Sequence, residues 1–243
     1  MHLTRQQRLI PLETMCNVRD IGGYETQSSC FTKPHKYVRA ATPEMITEEE
    51  KEQLYQYGVR VIIDLRSEKE TVEAPNRLKG YKDIIYYHID VFNDPEAAVV
   101  PKDSIGFHDM GDLYLHMIDH LKGSFKRVFD IFVKHLDVCI LYHCSAGKDR
   151  TGVVSGLLLD LAGCHHYDIV KDYSESYENN KVIYDRLLAM MGDGKAHYLQ
   201  SDPSYMLRFL DYLYINYGSA KEYLLQIGIN EEDVNDLIDN FTI

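Results

Sequence analysis

The sequence predicts an α/β protein with a mostly parallel central sheet, helices on its flanks and extra helices at the C-terminal end. Two observations carry this. Short β-branched runs alternate with helical patterns, the arrangement that joins parallel strands through crossover helices. Beyond residue 163 only helical periodicity follows, which adds a flank to that sheet. Hydrophobic residues fill 45% of the 243 positions, enough for a sizeable core. No internal repeat or low-complexity linker interrupts the chain. One domain over 1–243 is therefore expected, with 164–243 as a mainly helical flank or lid.

The elements follow in order. "TPEMITEEEKEQLYQYG" reads as a helix opened by Thr42 and Pro43 and stopped by Gly58. "VRVIIDL" (59–65) is a buried strand, and "DIIYYHI" (83–89) a second. Between 90 and 111 stand Pro95, Pro101, Gly106 and Gly111, which mark a long loop of the kind that carries function. Apolar residues from Leu113 to Phe132 recur at helical spacing, with Gly123 as an interruption. "VCILYH" (138–143) is a third strand, and "TGVVSGLLLDLAG" (151–163) a buried helix. Helices are then expected over 167–191, 203–217, 220–227 and 231–240.

Charge and cysteine usage exclude several classes. The net charge of −12 argues against a general nucleic-acid binder, which needs a basic surface. An anionic ligand would have to be drawn by a local pocket. Five scattered cysteines without a C-x-x-C pair indicate neither a disulfide framework nor structural zinc. No apolar run approaches a membrane span, and "MHLTRQQRLIPLE" has no signal-peptide core. A cytoplasmic location without stable membrane insertion is expected, with secretion by a route needing no signal peptide left open.

The chemistry concentrates in "HCSAGKDRTG" (143–152), between the third strand and the buried helix. A loop of this kind points backbone N–H groups at one spot, on the positive end of the helix. Ser145, Ala146, Gly147, Lys148, Asp149 and Arg150 would form an anion cradle, and Cys144 would sit where a thiolate is stabilised. Arg150 can grip a tetrahedral oxyanion bidentately. Thr151 can bond the sulfur, and His143 can support it. A thiolate in a phosphate cradle implies in-line attack, a cysteinyl-phosphate and hydrolysis, with no metal or cofactor required. A Walker loop does not fit, because Tyr142 replaces its first glycine and Asp149 its Ser or Thr.

These ten residues resemble the H-C-x-x-G-K-D-R-T-G signature of cysteine-dependent phosphatases. More narrowly, they resemble bacterial tyrosine phosphatases with lipid-phosphatase-like loops. "NVRDIGGY" (17–24) is similar to the family's N-x-R-D-x-G-G motif and "VIIDLRSEKE" (61–70) to its D-L-R-S-x-x-E motif. "YGSAKEYLLQIGI" (217–229) is similar to its C-terminal helical region. The resemblance implies a protein tyrosine phosphatase-like fold. It also implies hydrolysis of phosphotyrosine, often of phosphoserine or phosphothreonine, and sometimes of phosphoinositides. Phosphorylated protein, phosphoinositide and phosphate ion are thus the expected partners. Asp64 and Arg66, with Asn17, Arg19 and Asp20, would brace the loop.

Two carboxylates stand ahead as the general acid that protonates the leaving group. Asp149 lies inside the loop, where the K-D-R pattern supports it, and Asp94 lies on the loop after the second strand. Asp90 is an alternative beside it, and Asp149 is placed first. Asp149 could instead be a helix N-cap, and Lys148 a solvated rim charge or a second cation for a highly charged headgroup. "HMIDH" (116–120) has a zinc-like histidine spacing but reads as a solvated helix face. A phosphate-binding module without turnover is the remaining alternative.

Overall fold

The computed structural model describes residues 1–94, 107–191 and 199–243. Five strands form one sheet: β1 (Arg19–Asp20), β2 (Tyr37–Ala40), β3 (Val59–Asp64), β4 (Ile85–His88) and β5 (Cys139–His143). Their order is β1-β2-β5-β3-β4. Only the β1–β2 pair is antiparallel. Side chains alternate across a strand, so the sheet divides its apolar residues between two faces. Val61, Ile63, Ile140 and Tyr142 enter the larger core, while Ile62, Leu141, Val38 and Ala40 enter the smaller one. Burial on both faces explains why β3 and β5 read as near-continuous apolar runs.

Helices cover these faces unequally. The smaller core is closed by α2 (Glu48–Tyr57) through Leu54, while α1 (Arg5–Arg8) and α3 (Glu68–Glu73) are short. On the larger face pack α4 (Met110–His120), α5 (Lys122–Lys134), α6 (Asp149–Leu161) and α7 (His166–Asn179). Then follow α8 (Lys181–Met191), α9 (Pro203–Tyr217), α10 (Ala220–Gln226) and α11 (Glu231–Phe241). Helix α6 is buried along nearly its whole length. That is why its sequence is aliphatic all round rather than amphipathic.

Three boundaries differ from expectation. Helix α2 starts after Thr47, not Thr42: Thr47 and Glu50 form a reciprocal capping box. Its end at Gly58 is as expected, with φ 115°. The helical pattern over 113–135 breaks at Leu121 rather than Gly123. The break opens a new helix start, and the Asp94 carboxylate accepts there from Ser124 N at 2.7 Å. The stretch 167–191 is likewise two helices, separated at Asn180. Of the loop expected over 90–111, residues 95–106 lie outside the described residues.

Candidate active site

Ala40, His143 and Asp64 are register partners at the carboxyl ends of β2, β5 and β3. The loop 144–150 therefore leaves the sheet at its middle, where open parallel sheets place their ligand crevices. Main-chain bonds anchor it on both sides: Leu65 N donates to His143 O at 2.9 Å and Thr42 N to Ser145 O at 3.0 Å. Gly147 holds the tightest approach. Its φ is 63°, and a Cβ there would lie 2.2 Å from Ala40 O.

The loop's carbonyls are held from outside. Asn17 Nδ2 donates to Ala146 O at 3.0 Å and to Gly147 O at 2.9 Å. Asn180 Nδ2 reaches Ala146 O, and Arg39 Nη2 reaches Gly147 O, each at 2.9 Å. In a trans peptide the N–H opposes the C=O, so these bonds also orient the amides of Gly147 and Lys148. Behind them, Asp172 joins Arg39 at 2.5 Å and Arg19 at 3.0 Å, all fully buried. Burial would push the Asp172 carboxyl up, but the two guanidinium charges hold it well below the usual range.

Cys144 is buried at the base of the loop. His143 Nδ1 donates to Cys144 O at 2.9 Å, while its Nε2 lies 2.8 Å from Asn76 Nδ2 and 3.4 Å from Asp64 Oδ2. Asp64 also takes two bonds from the Arg66 fork, at 2.6 and 2.8 Å. Burial raises the Asp64 carboxyl, yet His143 and Arg66 together leave it well below the ordinary range. The Thr151 hydroxyl is buried next in line, with no hydrogen-bond partner among the described residues.

Arg150 meets Glu70 bidentately, at 2.7 and 2.8 Å. Glu70 simultaneously caps α3, accepting from Ser67 N at 2.8 Å, and accepts from the Ser145 hydroxyl. The Arg150 bonds hold the Glu70 carboxyl well below its usual range, and Glu70 keeps the half-buried Arg150 charged against partial desolvation. Glu70 had no role assigned from sequence. Its signal was present as the last position of the D-L-R-S-x-x-E stretch, masked by an exposed-looking "SEKE" run.

A cavity of about 390 Å³ opens above the loop, lined by Ser145, Ala146, Lys148 and Asp149 from below and by Glu70, Asn180 and Tyr184 from the side. Asp149 is the first residue of α6 and makes no cap bond; its Oδ1 instead accepts from Tyr114 Oη at 2.6 Å. Lys148 is not a rim charge. It is buried, with Nζ donating to Gln200 O at 3.0 Å and standing 3.4 Å from Asp149 Oδ1. Asp94 caps α5 and is not part of this lining, and Asp90 accepts from Phe92 N. Asp20 accepts from Gly22 N, His35 N and Tyr57 Oη, one strand away from the loop. Among the described residues no group of His, Cys, Asp or Glu is arranged to hold a metal ion. The His116 and His120 rings lie tilted to each other with centroids 4.6 Å apart, and Asp119 between them in sequence is taken by Tyr212 and Tyr217.

The family model for the tyrosine phosphatase family matches residues 10–243. The chain belongs to the tyrosine phosphatase family. As a phosphatase it is 31% identical over 216 residues to a tyrosine-protein phosphatase of Nostoc commune, covering 83% of this chain and 72% of that one. A crystal structure of P. aeruginosa TpbA, a cysteine-to-serine variant in complex with phosphotyrosine, aligns with 68% of this phosphatase and 84% of that chain. Sequence identity there is 11% and the TM-score 0.33. No helix of this phosphatase among the described residues is long and apolar enough to cross a membrane.

Proposed function

We propose that this phosphatase hydrolyses phosphotyrosine monoesters through a cysteinyl-phosphate on Cys144. The arrangement that carries the reading is the 144–150 loop itself, at the carboxyl end of the central strand with Arg150 fixed at its mouth by Glu70. The dianion is received by the amides of the loop and the start of α6, with Arg150 gripping two oxygens. Cys144 Sγ attacks phosphorus, and the P–O bond breaks with its electron pair leaving on the tyrosine oxygen. Asp149, in the cavity wall, gives that oxygen its proton. Water then attacks the phosphoenzyme, Asp149 takes a water proton, and the P–S bond breaks. The Thr151 hydroxyl, buried with no partner among the described residues, supports the reading that it bonds the departing thiolate.

Phosphotyrosine is favoured over an inositol lipid by Lys148. The extra cation that would serve a multiply charged headgroup is buried and bonded to Gln200 O and Asp149. The charge balance and the free cysteines fit work in the cytoplasm. The test is release of phosphate from a phosphotyrosine peptide and from a short-chain inositol lipid, with excess chelator, parent beside Cys144→Ser. Chelator-resistant turnover of the peptide that vanishes in the variant is expected. Turnover by Cys144→Ser near the parent rate overturns the cysteine mechanism, and faster turnover of the lipid overturns the substrate reading.

A further inference from the structure

Asp149 is held by two tyrosines that no sequence motif indicated. Tyr114 on α4 donates from Oη to Asp149 Oδ1 at 2.6 Å, and Tyr173 on α7 lies 2.7 Å from Tyr114 Oη. Both tyrosines are fully buried, with their rings edge to face. Two hydroxyls facing each other use one proton between them. The second proton must leave the pair, because a buried O–H left unsatisfied is costly. Asp149 Oδ1 is the acceptor that takes it. The order is therefore Tyr173 to Tyr114 to Asp149.

We propose that Tyr114, backed by Tyr173, is the positioning residue for the proton donor of the reaction. The proposal rests on the reading of Asp149 as that donor. Oδ1 stays an acceptor whether the carboxyl is charged or neutral, so the bond to Tyr114 persists through the proton transfer. Oδ2 is then the oxygen that carries the proton toward the leaving group.

Other charges also face this carboxyl and remain when Tyr114 is changed. Lys148 Nζ lies 3.4 Å away on the loop, Arg150 follows on α6, and Tyr184 faces it from α8. Tyr173 is in turn faced by Arg39 of β2 and Tyr205 of α9. A substitution of Tyr114 thus isolates one contribution among several.

The test compares pH profiles of kcat/KM for the parent, Asp149→Asn, Tyr114→Phe and Tyr173→Phe. Two substrates are used, a phosphotyrosine peptide and an aryl phosphate whose leaving group needs no proton. Asp149→Asn should lose the alkaline limb on the peptide; an intact limb there refutes Asp149 as donor, independently of the tyrosines. Given that loss, Tyr114→Phe should lower kcat on the peptide with KM little changed, since the donor is no longer held in place. It should also lose about tenfold more on the peptide than on the activated substrate, a part of what a general acid contributes. Tyr173→Phe should show the same preference for the activated substrate, by less. Equal losses on both substrates in both variants overturn the proposal and leave the tyrosines as packing residues.

Discussion

Glu70 shows how one carboxylate can serve a helix and the cation proposed to grip phosphate together. Its oxygens cap Ser67 N, clamp both Arg150 nitrogens and accept from Ser145. Replacing it by Gln removes one acceptor and the charge while keeping the shape. Glu70→Gln should lower kcat/KM by about ten- to a hundredfold, because Arg150 loses its fixed direction. The thermal midpoint should barely move, since a partly exposed pair contributes little to stability. Steady-state kinetics beside a melting curve checks both. Cys144, Arg150 and the loop were legible in the sequence because thiol, guanidinium and glycine fall within ten consecutive positions. Glu70, Tyr114 and Asn180 were not, because each reaches the loop from another element and looks locally like a helix surface or a core residue.

Between residue and whole stands the strand pair that supports the loop. Gly147 sits against β2, where an added methyl meets Ala40 O at 2.2 Å and the backbone keeps φ at 63°. Gly147→Ala should cost about 1–3 kcal/mol and remove most activity, as denaturant melts and turnover would show. Helix α7 contributes through Asp172, which neutralises Arg19 and Arg39 in the interior. Asp172→Asn leaves two buried cations short of a counter-charge and should cost roughly 3–5 kcal/mol. Denaturant titration measures it. Strands β3, β4 and β5 were readable from their β-branched runs. Strand β2 was not, because "HKYVRA" carries charge at positions a strand would fill with apolar groups. That charge is the reason the strand matters: Arg39 is spent on Gly147 O and Asp172 rather than on solvent. The helix breaks at Leu121 and Asn180 were hidden for a similar reason. Groups distant in sequence, the Asp94 carboxylate and the backbone carbonyl of Ala146, meet the chain there.

Across the molecule, buried carboxyls pull stability in opposite directions with pH. Asp64 and Asp172 are held below their ordinary values, so their contributions are complete above about pH 4.5 and vanish as pH falls. Asp20 and Glu175 are raised, chiefly by burial, so theirs are complete at low pH and lost as pH rises. The melting temperature should fall on acidification below about pH 5 and go on falling below about pH 3, because the first group stays charged in the folded protein well below its ordinary range. Asp172→Asn should flatten that fall, and Asp20→Asn should steepen it. A sheet with buried faces and a six-residue helix with no buried residue share the 144–150 loop. The main-chain anchors of the Cys144 loop, between β5 and its neighbours, open only when the sheet does, and their amides should exchange with solvent at the slowest rates in the chain. Helix α3, which steers Arg150, can fray alone. Mild urea should therefore silence the enzyme while its circular dichroism is still native: this phosphatase loses its grip on phosphate before it loses its fold.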